Sequence, residues 1–234
     1  MNRRQSAFSS GEPSNHSGSS ARGALQARFR QSRLYVLVDG QRDETEFERI
    51  VLQLVAAGVD VLQLRDKHLS DRQLIARARL LRRLTRDSAT LFVVNDRPDL
   101  ALLADADGVH VGQDELTVED ARRVIGCDRV VGVSTHSVEQ ARRAVLDGAD
   151  YIGCGPTFSS QTKSFDRFTG LSLLRRVAGE SPLPAFAIGG IDLENLPAVL
   201  ETGIGRIAVS AAIVKSPDPQ AAARRILAIM ESWK

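Results

Sequence analysis

Short runs of β-branched and aliphatic residues alternate with longer amphipathic segments from residue 34 to the end of the chain. The short runs have the length and composition of buried strands, and the longer segments repeat their apolar residues at helical spacing. Strands that alternate with helices in this way favour βα units and a parallel sheet. The eight predicted strands cover residues 34–38, 61–64, 91–94, 108–111, 130–133, 151–153, 185–188 and 206–209.

Each predicted helix follows a strand along the chain. The helices cover residues 44–57, 71–86, 98–104, 117–125, 138–147, 171–177, 193–201 and 219–233. Ser70 is a good N-cap for one of them, and glycine ends several others. An open doubly wound sheet fits part of this pattern, but eight evenly spaced units favour closure into a single (β/α)8 TIM barrel, an α/β fold.

The N-terminal region differs in composition from the rest of the chain. Residues 1–20 are rich in Ser, Gly, Asn and Arg and offer little to bury, so we predict a disordered tail there. Residues 21–33 have helix-forming composition, and we expect a helical extension that caps the bottom of the barrel. The barrel itself, as the catalytic domain, is predicted to occupy residues 34–234, a length typical of one such domain.

The overall charge is almost balanced. The 234 residues contain 31 Lys and Arg against 29 Asp and Glu, a net charge of +2. This balance gives no electrostatic reason to expect a nucleic-acid or membrane partner, and no apolar run approaches the ~20 residues of a membrane span. Cys127 and Cys154 match no zinc spacing, so we expect free thiols and a cytoplasmic location. A homo-oligomer is compatible with the sequence.

Polar side chains gather where the predicted strands end, which is where barrels of this kind place their active sites. At the end of the second strand, alternation puts Gln63, Arg65 and Lys67 on one face. Two convergent cations suit a diphosphate, which Arg grips with two donors and Lys meets as a point charge. The alternative is a structural ion pair with Asp66 or Asp96.

Carboxylates follow the third and fourth predicted strands. Asp96 comes after one, and Asp114 and Glu115 come after the other. Each of them taken alone is an ordinary solvated loop carboxylate. Beside a diphosphate they acquire a function, because Mg²⁺ is commonly held by one or two carboxylates together with phosphate oxygens.

A second anion site is predicted at the ends of strands seven and eight. Gly189 and Gly190 allow a close backbone approach, and Ser210 supplies a hydroxyl one strand further on. Residues 157–170 are polar and lack hydrophobic periodicity. They form either a surface loop or a lid that closes over phosphates and excludes water.

Two histidines lie near the predicted strand ends. His110 alternates with valines and is expected to fill the barrel interior. His136 is either a polar residue of the barrel mouth or an acid or base.

The ordered strings QLRDK, VNDR, ADGVHVGQ, GVSTHS, DGADYIGCGPTF, TK, AIGGI and VS resemble the thiamine phosphate synthase family over about residues 34–230. The resemblance implies a (β/α)8 barrel that uses Mg²⁺ and two phosphorylated small-molecule substrates. These are 4-amino-2-methyl-5-hydroxymethylpyrimidine diphosphate and 4-methyl-5-(2-phosphoethyl)thiazole, or the carboxylated form of the thiazole. The resemblance therefore implies a transferase that couples the two with release of pyrophosphate, and we expect a dissociative displacement.

The resemblance also implies a set of site residues. The pyrimidine diphosphate is held by Gln63, Arg65, Lys67, Asn95, Ser134 and Lys163, and the catalytic groups among them are Arg65, Lys67, Ser134 and Lys163. The thiazole phosphate is held by Ser160, Thr162, Gly190, Val209 and Ser210, and the metal by Asp96 and Glu115. The family usually has Asp at the second metal position, so either Glu115 ligates with its longer arm or Asp114 substitutes.

Two other readings stay open from sequence alone. A thiazole tautomerase-like isomerase shares the barrel and several motifs but transfers a proton without a diphosphate. A non-catalytic barrel would bind thiamine precursors without turnover. Pyrophosphate release from the two mixed substrates separates the synthase from both.

Overall fold

The computed structural model describes residues 18–40, 43–159 and 170–233. Eight parallel strands form a closed barrel in chain order, with β1 paired to both β2 and β8. The strands are β1 (Leu34–Val38), β2 (Val61–Leu64), β3 (Leu91–Asn95), β4 (Gly108–Val111), β5 (Val130–Thr135), β6 (Tyr151–Cys154), β7 (Ala185–Ile188) and β8 (Ile207–Val209). The predicted (β/α)8 barrel is confirmed.

Helices surround this barrel. They are α1 (Gly18–Gln31), α2 (Glu44–Ala57), α3 (Asp71–Thr85), α4 (Pro98–Leu103), α5 (Val118–Ile125), α6 (Val138–Leu146), α7 (Gly170–Glu180), α8 (Leu196–Leu200), α9 (Ala211–Val214) and α10 (Pro219–Ser232). Ser70 caps α3 as expected and forms a capping box with Gln73, so that two backbone N–H groups at the helix start are satisfied.

The observed elements lie close to the predicted ones. Helix α8 is shorter than the predicted 193–201, α7 ends three residues beyond the predicted 171–177, and α1 and α9 differ more. Helix α1 spans Gly18–Gln31, whereas the prediction placed a helix over residues 21–33 and a disordered tail over 1–20. Residues 1–17 lie outside the described residues. Helix α9, a single turn after β8, was not predicted, because four residues are too few to carry a helical period.

The main core lies between the barrel and its surrounding helices. Outward-facing strand residues such as Leu62, Leu64 and Phe92 pack there against the apolar faces of helices, including Phe47 and Leu81. All five are almost completely buried. Burying one such side chain contributes roughly 1.5–3 kcal/mol, so this layer is the main stabilising element of the fold.

A second cluster fills the inside of the barrel. It contains Phe29, Tyr35, Val61, Leu91, Val93, Val130, Tyr151, Phe186 and Ala208. Tyr151 occupies the centre, and Gly132 on the neighbouring strand makes room for it. A Cβ at Gly132 would lie 2.1 Å from Cζ of Tyr151, so only glycine fits there.

Helix α1 closes the amino-terminal end of the barrel. Phe29 is fully buried and stacks on Tyr151 with ring centroids 4.7 Å apart. The buried carboxylate of Asp150 accepts hydrogen bonds from Arg22 and Gln26 of α1 and from Arg122 of α5. Helix α1 therefore covers the bottom of the barrel, and the carboxyl ends of the strands form the open mouth.

Candidate active site

The end of β2 places three polar side chains at the mouth. Gln63 points into the barrel, is 2% exposed, and donates from Nε2 to the hydroxyl of Tyr35 at 2.9 Å. Its Oε1 atom is buried and has no hydrogen-bond partner among the described residues. Arg65 follows as a half-buried residue, and Lys67 lies at the surface. The three residues therefore lie at increasing distance from the barrel interior.

Asp66 does not pair with these cations. Its carboxylate accepts from the backbone N–H groups of Gly40, His68 and Leu69 at 2.8 to 3.1 Å. Asp66 therefore shapes the loop after β2. Of the two ion-pair partners considered from sequence, only Asp96 is in place.

Lys67 lies between two carboxylates from neighbouring strands. Its Nζ is 3.6 Å from Oδ2 of Asp96 and 3.4 Å from Oε1 of Glu115. Burial raises the pKa of the Asp96 carboxyl, and the negative charge of Glu115 raises it further. Lys67, Arg65 and a hydrogen bond from Asn95 oppose that rise.

The backbone at Asp96 has a φ of 60°, an unusual conformation for a residue with a side chain. Its N–H donates to the carbonyl of His110 on β4 at 2.8 Å, and Asn95 Nδ2 donates to its Oδ2 at 2.6 Å. These two contacts hold the carboxylate at the mouth. Strained backbone of this kind is frequent where a side chain must be aimed at a ligand.

The donor set fits Mg²⁺. Asp96 and Glu115 supply hard oxygen atoms, and their mutual repulsion is of the kind that a divalent cation relieves. The described residues contain no group of three or more His, Cys, Asp and Glu side chains that could hold a metal ion. Mg²⁺ commonly completes its shell with phosphate oxygens and water. Asp114 is exposed, and no hydrogen bond or ion pair of its side chain is found in the described ranges. Of these two neighbouring carboxylates, Glu115 is the one that contacts Lys67 and acts on Asp96.

Ser134 enters the mouth from β5. Its Oγ lies 3.0 Å from Nε2 of His110. The His110 side chain lies inside the barrel, as expected. Burial, and then the positive charge of Arg65, lower the pKa of His110 to about 4, so its ring is neutral near pH 7. Gln113 Nε2 donates to the backbone carbonyl of Ser134 at 2.5 Å and ties the β4 loop to β5.

The opposite side of the mouth is built from the ends of β7 and β8. Gly189 and Gly190 have positive φ values of 101° and 63°. A Cβ at Gly190 would lie 2.3 Å from the carbonyl oxygen of Ser159, so the close approach that these glycines permit is to the chain after β6. The backbone N–H of Phe158 donates to Gly189 and joins the two segments.

Ser210 and Val209 contribute differently to this side. Ser210 precedes α9, and its hydroxyl makes no cap hydrogen bond to that helix. Val209 is 4% exposed and packs in the layer between the barrel and the helices. Only the backbone of Val209 can therefore reach a ligand in the mouth.

The remaining predicted residues divide into two groups. Ser160, Thr162 and Lys163 lie outside the described residues, and so does most of the predicted loop or lid at 157–170. His136 is half-buried, and its Nδ1 lies 2.5 Å from the carbonyl oxygen of Gly155.

Sequence reasoning missed two inner residues, Tyr35 and Tyr151. Their hydroxyls lie 3.2 Å apart inside the barrel, and that of Tyr151 is 3.3 Å from Nδ1 of His110. Each tyrosine stands in an apolar strand and looks like an ordinary core residue. The signal available in the sequence was that Gln63, His110 and Ser134 stand at inward-facing positions of β2, β4 and β5, because buried polar atoms need partners.

The fold and the site together define a (β/α)8 barrel whose mouth combines cations, paired carboxylates and glycine-rich strand ends. A family model described as thiamine monophosphate synthase matches residues 34–213. The chain belongs to this family.

Similar proteins agree with that assignment. A thiamine-phosphate synthase of Rhodopirellula baltica is 47% identical over 197 residues, which are 81% of this chain and 52% of the relative. One of Synechococcus sp. strain CC9311 is 42% identical over 86% of this chain and 58% of its own length. The chain thus spans about half the length of these relatives. A thiamine phosphate pyrophosphorylase structure from Pyrococcus furiosus has a TM-score of 0.77 and 34% identity, covering 88% of this chain and 98% of that one.

Helices long and apolar enough to span a bilayer are not found among the residues that the structure describes.

Proposed function

We propose that this chain catalyses thiamine phosphate formation from two phosphorylated substrates, a hydroxymethylpyrimidine diphosphate and a thiazole phosphate. The observation that carries the proposal is Lys67 between Asp96 and Glu115, with Arg65 beside them. Cations and carboxylates in one mouth suit a metal-bound diphosphate leaving group. Membership of the family supplies the identity of the substrates.

The pyrimidine diphosphate is assigned to the β2–β5 side of the mouth. Gln63 and Ser134 would contact the ring, because they lie deepest and offer hydrogen-bonding atoms. Arg65 and Lys67 would bind the diphosphate oxygens nearer the surface. Asp96 and Glu115 would hold Mg²⁺, which when bound supplies positive charge that stabilises the leaving pyrophosphate.

The thiazole phosphate is assigned to the β7–β8 side. Gly190 lies at the end of β7 against the chain after β6, and the hydroxyl of Ser210 is not used by the following helix. Ser160 and Thr162, as the family resemblance implies, would complete the contacts to the thiazole phosphate, and Lys163 would reach the pyrimidine diphosphate from the same segment. The separation of the two sides fits a reaction between two anionic molecules.

The proposed reaction is a dissociative displacement. The C–O bond between the pyrimidine methylene and its diphosphate breaks, and its electron pair leaves with pyrophosphate. The amino-substituted ring shares the resulting positive charge, and the thiazole nitrogen donates its lone pair to form the new C–N bond. Arg65 and Lys67 act by stabilising charge on the leaving group, and the mouth acts by holding the reacting atoms together.

A cytoplasmic location is part of this proposal. Cys127 is exposed and Cys154 is buried, and both are free. Free thiols are expected in a reducing compartment.

Pyrophosphate release tests the proposal directly. The full chain is mixed with both substrates and Mg²⁺, and each component is omitted in turn. Release that requires all three supports the synthase. No release from the complete mixture overturns it, and conversion of the thiazole alone would instead point to the tautomerase reading.

A further inference from the structure

A chain of hydrogen bonds crosses the barrel interior beneath the mouth. It runs from Gln63 to the hydroxyl of Tyr35 at 2.9 Å, and from there to the hydroxyl of Tyr151 at 3.2 Å. It continues to Nδ1 of His110 at 3.3 Å and leaves Nε2 of the same ring for Ser134 at 3.0 Å. Five side chains from five different strands thus join the two polar residues that line the deep end of the site.

The chain has a direction, because an amide nitrogen can only donate. Gln63 donates to Tyr35, so the single proton of Tyr35 is directed to Tyr151. The proton of Tyr151 is then directed to Nδ1 of His110, and the ring proton stays on Nε2 and is donated to Ser134. The hydroxyl proton of Ser134 is left to point into the mouth.

Packing holds the central rings in place. Tyr151 and Tyr35 are buried, and both lie against Phe186 with ring centroids 5.8 and 5.3 Å apart. A Cβ at Gly153 would lie 3.4 Å from Cε1 of His110, so this glycine leaves the imidazole just enough room. A neutral imidazole has one nitrogen that donates and one that accepts, so acceptance at Nδ1 leaves the proton on Nε2.

We propose that Tyr35, Tyr151 and His110 are positioning residues that fix the hydroxyl of Ser134 as a hydrogen-bond donor and Oε1 of Gln63 as an acceptor at the ligand. The two atoms then present a complementary pair to a polar heterocycle. The identity of that ligand as the pyrimidine rests on the proposed function, whereas the direction of the chain does not.

The direction is measured by nitrogen-15 NMR of the full chain labelled at histidine, without any substrate. His110 is expected to be neutral with its proton on Nε2, and Tyr151→Phe is expected to produce a mixture of tautomers. A signal with the proton on Nδ1 in the wild type would mean that the chain runs the opposite way. That result, or an unchanged tautomer in Tyr151→Phe, overturns the proposal.

Steady-state kinetics test the consequence. Tyr151→Phe keeps the ring but breaks the chain, and we expect kcat/KM for the pyrimidine diphosphate to fall about tenfold, the size of one lost hydrogen bond. Thr135→Val is the matched control, because it removes a buried β5 hydroxyl that donates to Gly153 and belongs to no part of the site. It should lower the melting temperature and leave kcat/KM within about twofold. Equal losses of kcat/KM in both variants would make the tyrosine merely structural.

A double variant separates a connected chain from independent packing effects. Tyr35→Phe alone should also reduce kcat/KM for the pyrimidine diphosphate. If the hydroxyls act in series, Tyr35→Phe with Tyr151→Phe loses less than the product of the two single losses. Fully multiplicative losses would contradict the proposal.

The two proposals fail in different ways. A wild-type chain that releases no pyrophosphate refutes the proposed function, and the tautomer measurement still decides the hydrogen-bond chain. A chain that turns over normally but carries His110 protonated at Nδ1 refutes only the positioning role.

Discussion

At the residue scale, the side chain of Lys67 contacts two carboxylates that come from different strands. It holds Asp96 and Glu115 together through contacts of 3.6 and 3.4 Å. More than half of the Lys67 side chain is exposed, so these contacts contribute little to stability. In the proposed reaction, their importance is that they place both carboxylates where a metal-bound diphosphate would use them.

The position of Glu115 leads to a first prediction. Glu115→Gln should raise the Mg²⁺ concentration for half-maximal pyrophosphate release by about tenfold or more, because a charged oxygen ligand is lost. Asp114→Asn is the matched control, since Asp114 is the adjacent, exposed carboxylate. Its Mg²⁺ dependence should stay within about twofold of the wild type. A larger effect of Asp114→Asn would assign the ligand to that residue.

Gly132 leads to a second prediction at this scale. Gly132→Ala should destabilise the fold by about 1–3 kcal/mol, because the new methyl group would collide with the ring of Tyr151. Gly179→Ala is the control, since a Cβ there meets nothing within 4 Å and the residue lies in α7. Thermal unfolding should show a lower melting temperature for the first variant and an unchanged or higher one for the second. A Gly132→Ala variant as stable as the wild type would contradict the packing described for the barrel interior.

Helix α1 illustrates how an element is attached to the barrel by one buried carboxylate. Asp150 is inaccessible and receives hydrogen bonds from Arg22, Gln26 and the backbone of Val131. Burial raises the pKa of Asp150, but these hydrogen bonds and the charge of Arg122 outweigh it and leave the pKa below its ordinary value of 3.8.

Asp150→Asn should therefore lower stability at pH 7 by about 3 kcal/mol, the size of a broken buried ion pair. For a chain of this length that corresponds to roughly 10 °C in melting temperature. A carboxyl with a lowered folded pKa stabilises the fold above its unfolded pKa, and this contribution disappears as the pH falls through the folded value. The difference in stability between wild type and variant should thus shrink below about pH 3.8.

Asp87→Asn is the control, because Asp87 is an exposed carboxylate before β3. It should change neither the free energy of unfolding nor the melting temperature. A constant difference at pH 7 and pH 3 would refute the electrostatic attachment.

The elements differed in how well the sequence predicted them. Strand positions were correct to within two residues, because strands covered on both faces are continuous apolar runs. Helix α9 was missed because a helix of four residues is too short to show a helical period.

The cations and carboxylates of the mouth were predictable, since parallel strands bring their carboxyl ends to one edge. The contact between Tyr35 and Tyr151 was not, because it depends on the space left by Gly132 on a distant stretch of sequence. The outward side chain of Val209 follows from strand alternation, which the family resemblance alone did not convey.

At the scale of the whole molecule, the two sides of the mouth should be separable by kinetics. Ser210→Ala is expected to raise the KM for the thiazole phosphate by about tenfold, as for a lost hydrogen bond to a charged group, and to leave the KM for the pyrimidine diphosphate unchanged. Ser232→Ala, near the C-terminal end of α10, serves as a control and should change neither. An unchanged KM for the thiazole phosphate in Ser210→Ala would remove that residue from the site.

Phe29 closes the lower end of the barrel, so a ligand reaches the interior from the mouth. A molecule that binds at the inner residue Gln63 must pass the residues nearer the surface when it enters and again when it leaves. In the proposed reaction the pyrimidine diphosphate and the thiazole phosphate therefore share one entrance, although they bind on different sides of the mouth. Excess thiazole phosphate should then slow turnover, because a molecule held in the mouth hinders the entry of the pyrimidine diphosphate.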